Sequence, residues 1–341
     1  MSIVGGLDIH RAQITFDWCD DVEGAAHVGR INGADRGRLR EWLAQFDGVE
    51  ASFAVEACTG WRYVIEELDR AGIGAHLAET ADTQVLRGPR RRAKTDRSDA
   101  RLLRDLLAQG RLPESWIPPG HVLETRTKMR LYKALIDERS NWVQRLHALC
   151  YHQGVPAPGN VSSRVVRHWV LVDAELSPAG RALAAVSYQM IDAINTQLIP
   201  LRGELAKFAR RQSGCRALMD AHYGIGAICA TAIWSELGDC TRFSSSRQAV
   251  RHAGIDITVY ASDDHRARGH LSRQGPSILR WALYEAALCA ARTRSPDHHY
   301  YTTVKTRLGH NRATMSVARQ LIRRCYHTLT NMGPAAWDPV T

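Results

Sequence analysis

No run of 18 apolar residues occurs in this chain, so no segment reads as a membrane span. No CxxC pair occurs among its eight cysteines, Cys19, Cys58, Cys150, Cys215, Cys229, Cys240, Cys289 and Cys325, which argues against a zinc site. Most sit in apolar surroundings, where a free thiol behaves as a small hydrophobe, and a reducing cytosol is the simplest setting. The N-terminus, MSIVGGLDIH, lacks a basic segment followed by an apolar stretch and a cleavage site, and reads as the first strand of a mature cytosolic protein. Repeats and low-complexity tracts are missing too. Acidic charge falls short: 35 Asp and Glu face 45 Lys and Arg, mostly arginine, for a net charge of +10. A basic surplus of that size suits a polyanionic partner, because each phosphate contact releases counterions. What is plentiful is apolar side chain, 45% of 341 residues, enough for one large domain or two.

Alternating patterns predict strands over 2–9, 12–18, 25–31, 51–56 and 74–79, with helices over 34–46 and 61–71. That order, β-β-β-α-β-α-β, implies a mixed sheet with helices on its faces. Residues 87–94 (RGPRRRAK) read as a basic loop. A helix is expected from Thr95 or Asp96 to about Gln109, with Leu102, Leu103, Leu106 and Leu107 on one face. Pro113, Pro118 and Pro119 mark a boundary. Beyond it, Val122, Met129, Ile136, Val143 and Cys150 fall seven apart beside Leu135, Trp142 and Leu149, the pattern of a long helix with coiled-coil character. VPAPGNVSS separates it from a second long helix over about 179–211, whose stripe is Leu183, Met190, Ile194, Leu198, Leu201, Leu205 and Phe208, with a kink expected at Pro200. Two such helices suggest an antiparallel arm that either dimerises or packs on itself. From 214 onward the chain reads as a helical domain. The expected divisions are therefore 1–118, 119–213 and 214–341.

Four carboxylates stand out. Asp8 ends the first strand (GLDIH), Glu56 ends another (AVEACTGW), and Asp96 and Asp99 open a helix (KTDRSDA), three apart and so on one face. Brought together, they repel unless a cation neutralises them, and hard oxygen ligands without Cys or His favour Mg²⁺ or Mn²⁺. Two such metals can clamp a phosphodiester. Taken singly, each acid has a plainer explanation: a lone strand Asp belongs to a turn, and Asp96 could be the N-cap of its helix.

In the C-terminal half, His222-Tyr223-Gly224-Ile225-Gly226 precedes an apolar helix and reads as a helix-hairpin-helix turn. Gly224 and Gly226 would permit positive φ and expose N–H groups to a phosphate. Arg266, Arg268, Arg273 and Arg280 form one basic patch, and Arg87, Arg90, Arg91, Arg92 and Lys94 another just before the acidic pair. Both suit nucleic-acid backbone contacts. Arg319, Arg323 and Arg324 read as surface. Serines 244 to 246 look like an N-cap cluster, and Ser272 like the cap of a helix beginning near 276.

GLDIH, AVEACTGW and KTDRSDARLL, in this order and spacing, resemble the N-terminal domain of the DEDD-type insertion-sequence transposases, whose first domain resembles the RuvC Holliday-junction resolvase. The Gly-Ile-Gly turn and the stretch from Arg242 to Leu288 resemble the same family's C-terminal transposase domain. The resemblance thus covers both ends of the chain and is weakest over the helical arm. It implies an α/β plus α protein: a ribonuclease-H-like (RuvC-like) domain carrying Asp8, Glu56, Asp96 and Asp99 as the metal-binding tetrad, a coiled-coil arm, and a mainly helical C-terminal domain. It implies a serine nucleophile, which here matches Ser262. Asp263 and Asp264 replace two glycines of the family pattern, and His265 replaces its lysine. The resemblance further implies a cytoplasmic bacterial recombinase using Mg²⁺ (or Mn²⁺), acting as a homo-oligomer (dimer or tetramer) on donor and target DNA, and guided by a structured bridge RNA. Two other readings stay open. A junction-resolving nuclease using metal-activated water predicts that Ser262→Ala keeps activity. A non-catalytic DNA-binding protein predicts that Asp8→Asn changes affinity alone.

Overall fold

A computed structural model of the chain describes residues 2–20, 24–86, 95–156, 159–258, 261–262, 265–266 and 269–340, with 261–262 and 265–266 as backbone only. Packing separates two units, Met1–Ile117 and Pro118–Thr341.

The first unit is built on β1 (Ser2–Ile9), β2 (Gln13–Asp20), β3 (Ala26–Asn32), α1 (Arg36–Leu43), β4 (Glu50–Glu56), α2 (Trp61–Arg70), β5 (Gly74–Ala78), α3 (Thr80–Leu86) and α4 (Asp96–Ala108). The sheet order is β3-β2-β1-β4-β5. The first three strands form an antiparallel meander, and β1–β4 and β4–β5 pair in parallel. The alternation of β1 sorts its side chains onto two faces. Leu7 and Ile9 join Ile14, Phe53 and Val55 in one core with Leu39, Leu43, Val64 and Leu68 of α1 and α2. The other face takes α4, whose Leu103 packs on Ala54 and Ala78. The expected strands and helices are found within a residue or two, with a short 3₁₀ turn, Ala44–Phe46, completing the first helix. Helix α3 was not foreseen: Thr83 is its one buried residue, so it carries no apolar period.

The second unit is helical: α5 (Gly120–His152), α6 (Arg164–Val172), α7 (Pro178–Arg211), α8 (Ser213–Ala221), α9 (Ala227–Leu237), α10 (Ser246–His252), a ribbon of β6 (Ala261–Ser262) and β7 (His265–Arg266), α11 (Ser277–Leu288), α12 (His298–Leu308) and α13 (His310–Met332). Helices α5 and α7 run antiparallel: Gln153 Nε2 at the end of α5 donates to Ser177 Oγ before α7 (3.0 Å), and Lys128 near the start of α5 pairs with Glu204 near the end of α7. They pack on each other within one chain. Val122, Met129 and Cys150 of the expected stripe are buried, whereas Ile136 and Val143 are half-buried.

The stripe assigned to α7 needs correction over its first half. Leu183 and Met190 are exposed, at 42% and 39%, and Ala184, Tyr188 and Ile191 are buried instead. The face is turned by one residue because α6, itself unforeseen, covers this end. The Tyr188 hydroxyl donates to the Val161 carbonyl (2.9 Å), and Arg181 Nη1 donates to that of Leu171 (2.7 Å). Helix α7 continues through Pro200, an exposed position. The centre of the unit is α9. Its Trp234 is fully buried and donates Nε1–H to the Ala336 carbonyl (2.8 Å). Arg126 of α5 donates Nε–H to the Ser235 carbonyl (2.7 Å), meeting the carbonyl-rich end of α9. No described helix is long and apolar enough to cross a membrane.

Candidate functional site

The acidic cluster of the first unit follows from how closely α4 lies on β1. A Cβ on Gly6 would stand 2.1 Å from the Ala100 carbonyl oxygen, so only glycine lets the helix backbone approach this strand. The other end of the contact is held by charge. Buried Asp17 of β2 accepts from Arg101 Nε (3.3 Å) and from Arg104 Nη1. Asp8, two residues after Gly6, therefore faces the first turn of α4.

That turn has a defined start. Thr95 Oγ1 accepts from Ser98 N (3.2 Å) and Ser98 Oγ accepts from Thr95 N (3.1 Å), a reciprocal cap. Asp96 is thus the first helical residue and not the N-cap. Asp96 and Asp99 both lie in the first turn, where the helix dipole favours negative charge.

Between Asp8 and Asp96 stands His10, just beyond β1. Its Nε2 lies 3.0 Å from Asp8 Oδ2 and 3.3 Å from Asp96 Oδ1. Gln13 Nε2 donates to Asp96 Oδ2 (3.2 Å). One ligand atom from each of Asp8, His10 and Asp96 falls within 4.8 Å of the others, a spacing that can hold one metal ion. Asp8 is 7% exposed. Burial pushes its carboxyl above the usual carboxylate range, His10 pulls it back, and Asp99 and Asp96 add to the rise.

Glu56 completes the set at one remove. Leu7 pairs with Val55, which brings the following residues, Asp8 and Glu56, to the same level. Glu56 shares the face of Ala54, the α4 side. Burial raises the Cys58 thiol, and Glu56 and then Asp8 raise it further, so one thiol feels both acids. Thr15, opposite Asp8 on β2, is fully buried, and among the described residues its Oγ1 has no hydrogen-bond partner. Two buried acids, Asp8 and Asp99, with the half-buried Asp96 and Glu56 and a hydroxyl without a partner nearby, fit a cation. The donor set differs from the expectation in one respect: it contains an imidazole, so it is not all-oxygen. The signal was in the motif itself, since residues two apart on a strand share a face and GLDIH places His10 with Asp8.

In the second unit, the Gly-Ile-Gly turn joins α8 to α9 as expected, but its glycines differ. Gly224 has φ +90°, and a Cβ there would meet the Ala286 carbonyl oxygen at 2.5 Å. Gly226 has φ −88°, which any residue adopts, and open space around it. Positive φ therefore holds for Gly224 alone. His222 is buried and within 3.0 Å of Thr328 Oγ1.

The backbone of Ser262 pairs with His265 in the β6–β7 ribbon. Of Ser262 and Arg266 only the backbone is described, and Arg87, Arg90, Arg91, Arg92, Lys94, Asp263, Asp264 and Arg268 lie outside the described residues. Arg273 is exposed at a turn with φ 53°. Arg280 Nη1 donates to the carbonyls of Gly275 (2.8 Å) and Ala253 (3.3 Å), so it braces this loop. Ser272 is not a helix cap. It donates to Asp256 Oδ1, because the chain there runs beside 256–258, with Thr258 N donating to His270 O (2.8 Å). Helix α11 has Pro276 at its N-cap. Ser245 stands at the N-cap of α10 without a side-chain bond. Arg319 and Arg324 are not mere surface: Arg319 Nε donates to Ile255 O (2.6 Å), and Arg324 grips Asp297 with two nitrogens.

The chain is similar in sequence to several known proteins. Residues 216–302 match the sequence model of the family described as Transposase IS116/IS110/IS902 family. A Sinorhizobium fredii protein named as a transposase, y4qE, is 26% identical over 265 residues, 76% of this chain and 64% of its own length. Another from that organism, y4rJ, also named as a transposase, is 28% identical over 241 residues, 64% of this chain and 60% of its own. The transposase for insertion sequence element IS1328 of Yersinia enterocolitica is 22% identical over 244 residues, 69% of each chain. The chain spans a little under two thirds of the length of the two Sinorhizobium relatives.

Proposed function

We propose that this protein is an insertion-sequence transposase that cuts and rejoins DNA. The observation that carries the reading is the convergence of Asp8, Asp96 and Asp99, with Glu56 at the same end of the sheet, in a chain whose residues 216–302 match a transposase family. The strand order β3-β2-β1-β4-β5, with a parallel pair beside an antiparallel meander, supports a ribonuclease-H-like first unit.

Asp8, Asp96, Asp99 and Glu56, with His10, would hold Mg²⁺ or Mn²⁺, which when bound supplies charge stabilisation at a phosphate. Ser262 is the proposed nucleophile. Its Oγ gives up its proton and attacks a backbone phosphorus, a serine–phosphate ester forms, the P–O bond to the sugar breaks, and the leaving sugar oxygen takes up a proton in exchange. A sugar hydroxyl of the new partner strand then attacks the same phosphorus and releases the serine. The partners are donor and target DNA, a structured bridge RNA that selects them by pairing, and further copies of this chain. The net charge of +10 supports polyanionic partners without choosing between DNA and RNA.

The test incubates the protein with Mg²⁺, candidate element-end RNA and labelled element-junction DNA, followed by protease treatment and a denaturing gel. A DNA species shifted by covalent peptide, absent in Ser262→Ala and in Asp8→Asn, is the expected result. Cleaved DNA without peptide, unchanged in Ser262→Ala, would instead assign hydrolysis by water to the acidic cluster.

A further inference from the structure

A cleft of about 640 Å³ lies between Ile257 and residues 269–273 on one side and the facing ends of α12 and α13 on the other. Its apolar lining comes from Ile257, Leu271, Leu308 and Met315, of which Ile257 and Leu308 are exposed at 53% and 41%. Its charged lining among the described residues is Arg273, Arg312 and Arg319, with no carboxylate among those residues. The volume suits one small organic group, since ligand sites run from about 300 to 1,000 Å³. A cationic, apolar-floored cleft fits a ligand that is part anion and part flat apolar ring.

Two further features narrow the ligand. Asn311 Oδ1 accepts from the Tyr284 hydroxyl (3.1 Å), which orients the carboxamide and leaves its N–H groups to donate to a base edge. Arg273 is the only non-glycine residue with positive φ among those described. The strain is held by Arg273 N donating to Gly254 O (3.0 Å) and by two glycines at which a Cβ would meet backbone, Gly254 at 2.4 Å and Gly275 at 2.0 Å. Strain of this kind persists where the surroundings over-determine it, and here it presents a guanidinium to the cleft. Thr258, at the end of the ribbon's base, is four residues from Ser262, so their backbones are no more than about 14 Å apart.

We infer that this cleft receives one unstacked nucleotide of the nucleic-acid strand, with the base on the Ile257–Leu271–Met315 floor and its phosphate on Arg273 and Arg312. The inference rests on the nucleic-acid reading above and adds the place where a base leaves the stack.

Fluorescence anisotropy of the full chain compares two labelled probes, a thymidine strand of about twelve nucleotides and a strand of equal phosphate number without bases. The base-bearing strand is expected to bind about tenfold more tightly, the scale of burying about 50 Å² of one flat base on an apolar floor. Met315→Trp, which fills the cleft, reduces that preference to about twofold or less, with an unchanged circular dichroism spectrum. Arg312→Ala weakens both probes alike. Equal affinity of the wild-type protein for the two probes, or a full preference in Met315→Trp, would overturn the cleft assignment and leave strand cutting untouched. Displacement of the strand by polyglutamate at matched charge would overturn it as well, by making the cleft a general anion site. Binding of neither strand would overturn the nucleic-acid reading itself.

Discussion

His10 holds its Nε2 3.0 Å from Asp8 Oδ2, while the same nitrogen lies 3.3 Å from Asp96 on another element. An imidazole between two carboxylates gives a cation one nitrogen and two hard oxygens. Mg²⁺ selects oxygen ligands, whereas Mn²⁺ also accepts imidazole. His10→Ala is therefore expected to weaken Mn²⁺ binding by about tenfold and Mg²⁺ binding by about threefold or less. Asp8→Asn weakens both severely. Isothermal titration of each metal, with no DNA present, reads the difference. Equal losses for the two metals would reduce His10 to a group that orients Asp8.

Gly6 makes the approach of α4 to β1 possible. In Gly6→Ala the new methyl would sit 2.1 Å from the Ala100 carbonyl oxygen, a backbone atom that cannot rotate away. The helix must shift, carrying Asp96 and Asp99 with it. The expected cost is about 3 kcal/mol, measured by urea unfolding, because overpacked backbone relaxes poorly. Mn²⁺ affinity should fall in the fraction that remains folded. Gly48→Ala, where a Cβ would meet nothing, controls for a general glycine effect, its φ of +71° alone costing about 1 kcal/mol.

Most of the first unit was legible in the sequence, and the reasons are local. Strands β1, β2 and β4 alternate, Asp8 and Glu56 fall at the ends of β1 and β4, and Thr95 with Ser98 marks where α4 begins. His10 lies just beyond the end of β1, outside the alternation that picks out Asp8. In the second unit, leucine and methionine pointed to the wrong half of the α7 face, since Ala184 and Tyr188 are the residues buried there. Helix α6 escaped because only Val170 of its nine residues is buried. The pairing of Ile257 with Leu271 that leads to the Ser262 ribbon joins residues far apart in sequence, and no local pattern announces it.

Glu67 ties acid stability to α1 and α2. Its buried carboxylate accepts from Arg40 Nε (2.6 Å), Arg36 Nη1 (2.7 Å) and Arg70 Nη1 (2.6 Å). Arg40 is the chief cause that lowers its pKa to about 2; burial opposes this, and Arg36 and Arg70 add to the lowering. A carboxylate depressed in the folded state stabilises it above the unfolded value of about 4.3, and that stability drains as pH falls toward the folded value. The three arginines are half-exposed, so screening leaves about 2 kcal/mol. Urea unfolding of the wild type and Glu67→Gln should differ by that amount at pH 7 and converge near pH 2. A difference that persists unchanged at the lowest pH would assign the effect to packing and not to the ion pairs.

The two glycines of the turn before α9 make opposite predictions. Gly224→Ala places a methyl 2.5 Å from the Ala286 carbonyl oxygen at a φ of +90°, so strain and overpacking act together. A loss of about 2–3 kcal/mol is expected in thermal or urea unfolding. Gly226→Ala adds a methyl in open space at an ordinary φ, and stability should stay within about 0.5 kcal/mol. The N-terminal N–H groups of α9 remain in place in that variant, so a change in DNA affinity there reports on the turn as a phosphate holder and not on folding. Filter binding on a short duplex at two salt concentrations separates the cases. Weaker binding by Gly226→Ala with an unchanged salt slope would mean that the methyl obstructs a backbone approach, whereas unaltered binding would confine the turn to packing α9 against α11.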